Sequence, residues 1–281
     1  MAGIKDAADY QGRFVWYELS VRDIAAERAF YSKVLGWGVQ DASMPGMQYT
    51  FFTVRNSFVS GLMVLPEMVR PSGWLGYVAV DDVDATVDRV SRLGGTVHAP
   101  PADVFGVSRF AIVADPQAAP FAVLTWQRPR AHPLGDHQEA GRIGWHELFA
   151  ADCDAAFAFY GELFGWHKPD GADGSSQDGS QDGSQDDYRR FAVGGETIGG
   201  IFQKSPLVEV PLWLYYFNVG DITTAAKRVT AAGGEVLEGP LEIPPGGVFI
   251  VRCSDPEGAP FALRGPRRRE VGYFPPAPPR R

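Results

Sequence analysis

The stretch FVWYELSVRDIAAERAFYSKVLGWGV, residues 14 to 39, returns later in the chain as IGWHELFAADCDAAFAFYGELFGWHK, residues 143 to 168. In the first copy, residues 14 to 21 alternate as a strand does. Asp23 can cap a helix that runs to about Leu35, and Gly36 suits the left-handed stop that follows. Ala26, Ala29, Phe30 and Leu35 give this helix an apolar face at three- and four-residue spacing.

A second pair of segments repeats as well. GWLGYVAVDDVDATVDRVSRLGGTV begins at residue 73 and LWLYYFNVGDITTAAKRVTAAGGEV at residue 212; each leads to a shared phrase, DPQAAPFAVL at 115 and DPEGAPFALR at 255. Trp16 and Trp145 are offset by 129 residues, Trp74 and Trp213 by 139. The change of offset has a visible cause in DGADGSSQDGSQDGSQDD, residues 170 to 187, a tract that cannot bury enough apolar surface to order itself. It reads as a flexible insertion in a tolerant loop.

Each module follows the order β-α-β-β-β, so the expected class is α+β, with four modules in two pairs. The first domain spans 13–128, with modules 13–66 and 73–128. A polar, turn-rich linker covers 129–141. The second domain spans 142–266, with modules 142–205 and 211–266, and a tail occupies 267–281. At 281 residues the chain is long enough for two domains that each bury a core.

Composition excludes several classes of function. Apolar residues make up 45% and charged residues 21%, as in ordinary globular chains. The formal charge is −8, and the basic clusters are only PRRRE at 266–270 and the final RR, so nucleic acid is not an expected partner. No apolar run reaches the roughly 18 residues needed to cross a bilayer, and the N-terminal segment lacks the apolar stretch of a signal peptide. Cys153 and Cys253 fit a reducing cytoplasm and read as small core residues. No glycine pair sits in a phosphate-loop context.

The strand–Asp–helix–FY–LGW phrase (Asp23, Phe30, Tyr31, Leu35, Gly36, Trp37; Asp152, Phe159, Tyr160, Phe164, Gly165, Trp166), the VDDVDA run at 80–85 and the DP phrases together resemble the vicinal oxygen chelate superfamily, which includes glyoxalase, bleomycin-resistance and extradiol dioxygenase proteins. The resemblance covers about residues 13 to 265. It implies that paired modules form a curved mixed sheet around a cup, with helices outside, and that chemistry happens inside the cup.

It also implies where a metal would bind: a His, Gln or Glu on each first strand, seven residues before the capping Asp, and a Glu on the last strand, seven residues after the Asp of the DP phrase. Those positions hold Trp16, Leu75, Trp145 and Leu214 on first strands, and Ala122 and Ala262 on the last strands of modules two and four. None can ligate a cation that wants imidazole or carboxylate. The expectation is therefore no metal and no other cofactor. His146 is turned by strand alternation to the helix-facing side; His98, His132, His137 and His167 fall on a later strand, the linker and a post-helix segment.

With Trp16 pointing into the cup, Glu18 and Ser20 share its face, as do Leu75, Tyr77 and Ala79 from the partner module. In the second half the face carries Trp145, Glu147 and Phe149 with Leu214, Tyr216 and Asn218. Ala122 and Ala262 complete the expected ligand-binding set. Burial would push a lone carboxylate toward the range of a general base or acid, so Glu18 and Glu147 are the candidate catalytic groups. A purely architectural glutamate that satisfies a Tyr or Arg remains an open alternative. The expected partner is a small organic molecule, with no nucleic acid or membrane, in a monomer or homodimer. The functions left open are a metal-independent glyoxalase-like enzyme of lyase, isomerase or hydroxylase-like proton-transfer chemistry, a non-catalytic sequestration or resistance protein, an interaction protein with remnant cups, and a metal-dependent glyoxalase or dioxygenase.

Overall fold

The computed structural model describes residues 10–44, 47–64, 72–104, 106–127, 136–169, 188–205 and 209–268. The first half holds β1 (Phe14–Val21), α1 (Ile24–Leu35), β2 (Gly38–Met44), β3 (Met47–Val54), β4 (Ser57–Val64), β5 (Gly73–Ala79), α2 (Val83–Arg92), β6 (Thr96–Val104), β7 (Ser108–Ala114) and β8 (Pro120–Trp126). The second holds β9 (Ile143–Ala150), α3 (Cys153–Phe164), β10 (Tyr188–Val193), β11 (Glu196–Gln203), β12 (Leu212–Asn218), α4 (Ile222–Ala231), β13 (Glu235–Ile243), β14 (Val248–Ser254) and β15 (Pro260–Gly265). The 170–187 insertion and most of the tail lie outside the described residues, as does the first part of the linker.

Each helix starts on an aspartate whose carboxylate accepts from backbone N–H groups of the first turn: Asp23, Asp82, Asp152 and Asp221. Gly36 and Gly165 end α1 and α3 at φ of 72° and 74°, a conformation that suits glycine. The strands form two mixed sheets, ordered β2-β3-β4-β1-β5-β8-β7-β6 and β10-β11-β9-β12-β15-β14-β13. Each sheet joins its two modules through a central antiparallel pair, β1 with β5 and β9 with β12. The architecture is the expected α+β arrangement of two paired-module halves. The third module shows one strand fewer among the described residues, where the insertion falls.

Strand alternation sorts β1 as the sequence implies. Tyr17, Leu19 and Val21 enter the helix-side core, while Trp16 packs with Tyr77, Ala79 and Ala122 on the other face. A bulge between Phe14 and Trp16 interrupts the alternation, so Phe14 joins the helix-side core and Val15 the cup side.

The helix-side core is common to both halves, whereas the chain length alone had suggested a separate core for each domain. Its polar contacts are reciprocal. Tyr31 of α1 donates to Asp255 and Tyr160 of α3 donates to Asp115, at 3.0 and 3.1 Å. These bonds join the FY phrase of one half to the DP phrase of the other. The Trp37 indole donates to the Gly141 carbonyl and the Trp166 indole to that of Gly12. At the centre, repeat-equivalent residues meet: the Tyr17 hydroxyl lies 2.7 Å from His146 Nε2, and His146 Nδ1 lies 2.7 Å from the Ile198 carbonyl. With the carbonyl able only to accept, Nδ1 carries the proton and Nε2 accepts from Tyr17. Next to this pair, Gly76 N–H donates to the Tyr215 hydroxyl, and a Cβ at 76 would overlap the Tyr215 ring. Tyr215 stands where the first half has Gly76, so the two sheet faces interlock rather than merely touch.

Candidate functional site

Cross-strand register aligns the cups row by row. In the first half one row runs Trp16, Tyr77, Ala122, Ile112, Ala99. The corresponding row of the second half runs Trp145, Tyr216, Ala262, Arg252, Glu238. The next row is Phe51, Gly61, Glu18, Leu75 in one half and Arg190, Gly200, Glu147, Leu214 in the other. The third is Tyr49, Met63, Ser20, Gly73 against Tyr188, Phe202, Phe149, Leu212.

Each glutamate is held between two tyrosines. Tyr49 donates to Glu18 Oε1 at 2.7 Å, and Tyr77 donates to Oε2. Tyr188 donates to Glu147 Oε1 at 3.2 Å, and Tyr216 to Oε2. A glycine makes each clamp possible: a Cβ on Gly61 would overlap the Tyr49 phenol, and one on Gly200 the Tyr188 phenol. Each carboxylate oxygen keeps lone-pair capacity beyond the tyrosine bond, so a ligand donor could add to the clamp without breaking it.

The indoles stand beside the clamps. Trp16 meets Phe51 edge-on at 6.1 Å, and Trp145 Nε1 donates to the Tyr188 hydroxyl at 3.3 Å. Leu75 and Leu214 pair directly with the glutamates, and the buried Ala122 and Ala262 lie beside Tyr77 and Tyr216. Ser20 is half-buried at the end of β1. The Asn218 amide is spent elsewhere, donating to the His137 carbonyl of the linker at 2.6 Å.

The halves differ in charge balance. Glu147 is 8% exposed and sits 3.6 Å from Arg252 Nη2. Burial pushes its carboxyl above the ordinary range, opposed first by the Arg252 cation and then by the hydrogen bonds from Tyr216, Tyr188 and Trp145. Glu18 is half-buried and has no ion-pair partner among the described residues. Burial followed by the adjacent glutamate pushes the phenols of Tyr49, Tyr77 and Tyr216 well up, so all three act as donors.

The sequence reading placed the glutamates, indoles and Tyr77/Tyr216 on one face, and the structure brings them together. It missed Tyr49, Tyr188 and Arg252. The first two recur at an offset of 139 in YTFFTV and YRRFAV, a signal that was available. Arg252 has no such echo. Among the described residues, no group of three His, Cys, Asp or Glu side chains converges. The family metal positions carry indole, isobutyl and methyl groups, a donor set that does not fit a cation.

This chain belongs to the Glyoxalase/Bleomycin resistance protein/Dioxygenase superfamily, whose signature matches residues 13–121 and 142–263. It is 34% identical over 262 residues to "Putative glyoxylase CFP32" of Mycobacterium tuberculosis, covering 91% of this chain and 95% of that protein. It is 30% identical over 269 residues to "Anthracycline biosynthesis protein DnrV" of Streptomyces peucetius, covering 90% and 92%. In fold it resembles the Mn(II)-bound glyoxalase from Novosphingobium aromaticivorans, with a TM-score of 0.60 at 17% identity over 91% of this chain and 82% of that one. An extradiol ring-cleaving dioxygenase from B. fuscum matches with a TM-score of 0.60 at 18% identity over 91% and 72%.

Proposed function

We propose that this chain binds a small organic metabolite in its cups without a metal, and that the glutamate at the centre of a cup is the group that receives it. The observation that carries this reading is the tyrosine–glutamate–tyrosine clamp beside an indole, built at the same register in both halves. Aromatic walls suit a flat ligand, in keeping with relatives named for glyoxylase activity and for anthracycline biosynthesis. Trp16, Ser20, Leu75, Tyr77 and Ala122 line one cup; Trp145, Phe149, Leu214, Tyr216 and Ala262 line the other, with Asn218 at its linker end.

Proton transfer is the chemistry that this geometry would support. The phenols hold the carboxylate in place and donate hydrogen bonds, while the carboxylate accepts a proton from a ligand C–H or O–H and returns it elsewhere, as a lyase or isomerase requires. Non-catalytic sequestration is the second reading, favoured by the fact that both oxygens of each glutamate already accept a tyrosine bond. Cys153 and Cys253 are both buried and in no disulfide, which suits a reducing compartment, and we place this activity in the cytoplasm.

The test is a thermal-shift screen of carbonyl, hydroxylated and aromatic metabolites, followed by turnover assays of Glu18→Gln and Glu147→Gln with the ligands found. Loss of turnover with retained affinity supports proton transfer. Reduced affinity with no turnover in any form supports sequestration. Stoichiometric transition metal in purified active protein would overturn the metal-free reading.

A further inference from the structure

The two cups form an internal comparison, since they share a carboxylate, an indole and two phenols and differ around them. We propose that Arg252 is a built-in occupant of the second cup, standing where a ligand cation sits in the first, so that cup one is the ligand site and takes a small organic cation with a flat aromatic body. This rests on the reading of the cup glutamates as ligand-facing groups and narrows it to one cup and one charge class.

Arg252 is held as a bound organic cation would be. Its Nη2 lies 3.6 Å from Glu147 Oε2 and its Nε 3.4 Å from the Tyr216 hydroxyl, while Nη1 pairs with Glu238. Its guanidinium carbon stands 5.3 and 5.4 Å from the ring centroids of Phe149 and Phe202, within cation–π reach of both. The arginine therefore fills the space beside the clamp and neutralises its charge.

The first cup lacks all four of these parts together. Register places Ile112 at the position of Arg252, Ala99 at that of Glu238, Ser20 at that of Phe149 and Met63 at that of Phe202. Its rings come from other rows. Phe51 stands where the second half has Arg190 and meets Trp16, while Phe110 stands where it has Ile250 and lies 6.2 Å from Tyr77. The outcome is a clamp of the same design with aromatic walls, no internal cation among the described residues, and half-burial in place of full burial. A carboxylate in that setting favours a positively charged partner over a neutral or anionic one, and the net charge of −8 biases encounter in the same direction.

Three probes of similar ring size test this on the full chain: proflavine, a cation at neutral pH; anthracene-9-methanol, neutral; and anthracene-9-carboxylate, an anion. Binding is followed by tryptophan fluorescence and calorimetry. Wild type is expected to bind one equivalent of proflavine, about tenfold or more tighter than the other two. Ile112→Arg, which installs the occupant in cup one, is expected to weaken proflavine by about tenfold or more. Glu18→Gln should remove the preference for the cation, and it decides the matter if Ile112→Arg does not fold. Two equivalents of proflavine in wild type, or no binding of any probe, would overturn the proposal. Tighter binding of the neutral or anionic probe that Ile112→Arg weakens would overturn the charge class while sustaining cup one as a ligand site. Proflavine binding untouched by Ile112→Arg and by Glu18→Gln would remove both this inference and the ligand-facing reading of Glu18.

Discussion

Two single residues, Glu27 and His146, respond to pH in opposite senses. Glu27 of α1 is fully buried where α3 has Ala156, and the backbone of Glu257 offers its carboxyl only weak compensation. Burial, reinforced by Asp255 and then Glu257, pushes its carboxyl up to about 8 from 4.5. Above pH 4.5 the unfolded chain gives up this proton before the folded one, so stability falls as pH rises and levels off only beyond about 8. His146 works in the opposite sense. Burial lowers its imidazole from 6.5 to about 4, with the Ile198 carbonyl opposing and His137 adding slightly. Below pH 6.5 the unfolded chain takes up the proton first, so stability is lost as pH falls toward 4. The two slopes, each at most about 1.4 kcal/mol per pH unit, oppose one another between 4.5 and 6.5. The contributions of these two groups offset there, and Glu27 is expected to account for a loss of roughly 2 kcal/mol between pH 6.5 and 8. Urea unfolding of wild type and Glu27→Gln across pH 5 to 9 checks this; an alkaline decline that persists in the variant would rule out Glu27 as its source.

At the level of elements, each clamp depends on a glycine in one strand making room for a tyrosine from its neighbour. Gly61→Ala in β4 should drive the Tyr49 phenol off Glu18, and Gly200→Ala in β11 should do the same to Tyr188 and Glu147. Each is expected to destabilise by about 1–3 kcal/mol, the usual cost of overpacking, and Gly61→Ala to weaken ligand binding in cup one. Ligand titration beside thermal melts reads both effects. Arg252→Met in β14 is a sharper test of the second cup. It leaves Glu147 buried without its cation, a loss expected to reach about 3 kcal/mol, whereas Ile112→Met at the matching site of β7 should cost under about 1.5 kcal/mol. Equal costs in chemical denaturation would mean that Arg252 does not neutralise Glu147.

At the scale of the whole molecule, the shared core makes the two halves one cooperative unit. Denaturation of wild type is expected to show one transition by both tryptophan fluorescence and circular dichroism. The reciprocal bonds from Tyr31 to Asp255 and from Tyr160 to Asp115 tie the halves on either side of the Tyr17–His146 centre. Burial raises both carboxyls above their ordinary range, so each needs its donors. Tyr31→Phe with Tyr160→Phe should therefore cost about 3–6 kcal/mol, at roughly 1.5–3 for each charged hydrogen bond, measured as a shift in the urea midpoint. A change below about 0.5 kcal/mol would show that these two bonds do not couple the halves.

What the sequence by itself determined is what depends on local chemistry and repetition. Capping aspartates, glycine stops and strand alternation placed four modules and turned Trp16, Glu18 and Tyr77 onto one face, because side-chain direction in a strand follows from position alone. The offset of 129 tied Glu18 to Glu147 before any contact was known. Only the tertiary structure decided who meets whom across strands and halves. Tyr49 reaches Glu18 from two strands away, Arg252 fills the second cup through a register of three strand pairings, and Tyr17 finds His146 across the join between the sheets. Those contacts span tens to well over a hundred residues of chain, and no local pattern encodes them. They arise when sheets pair in register and bury their faces against each other, which is why a repeated sequence folded into two cups of different charge.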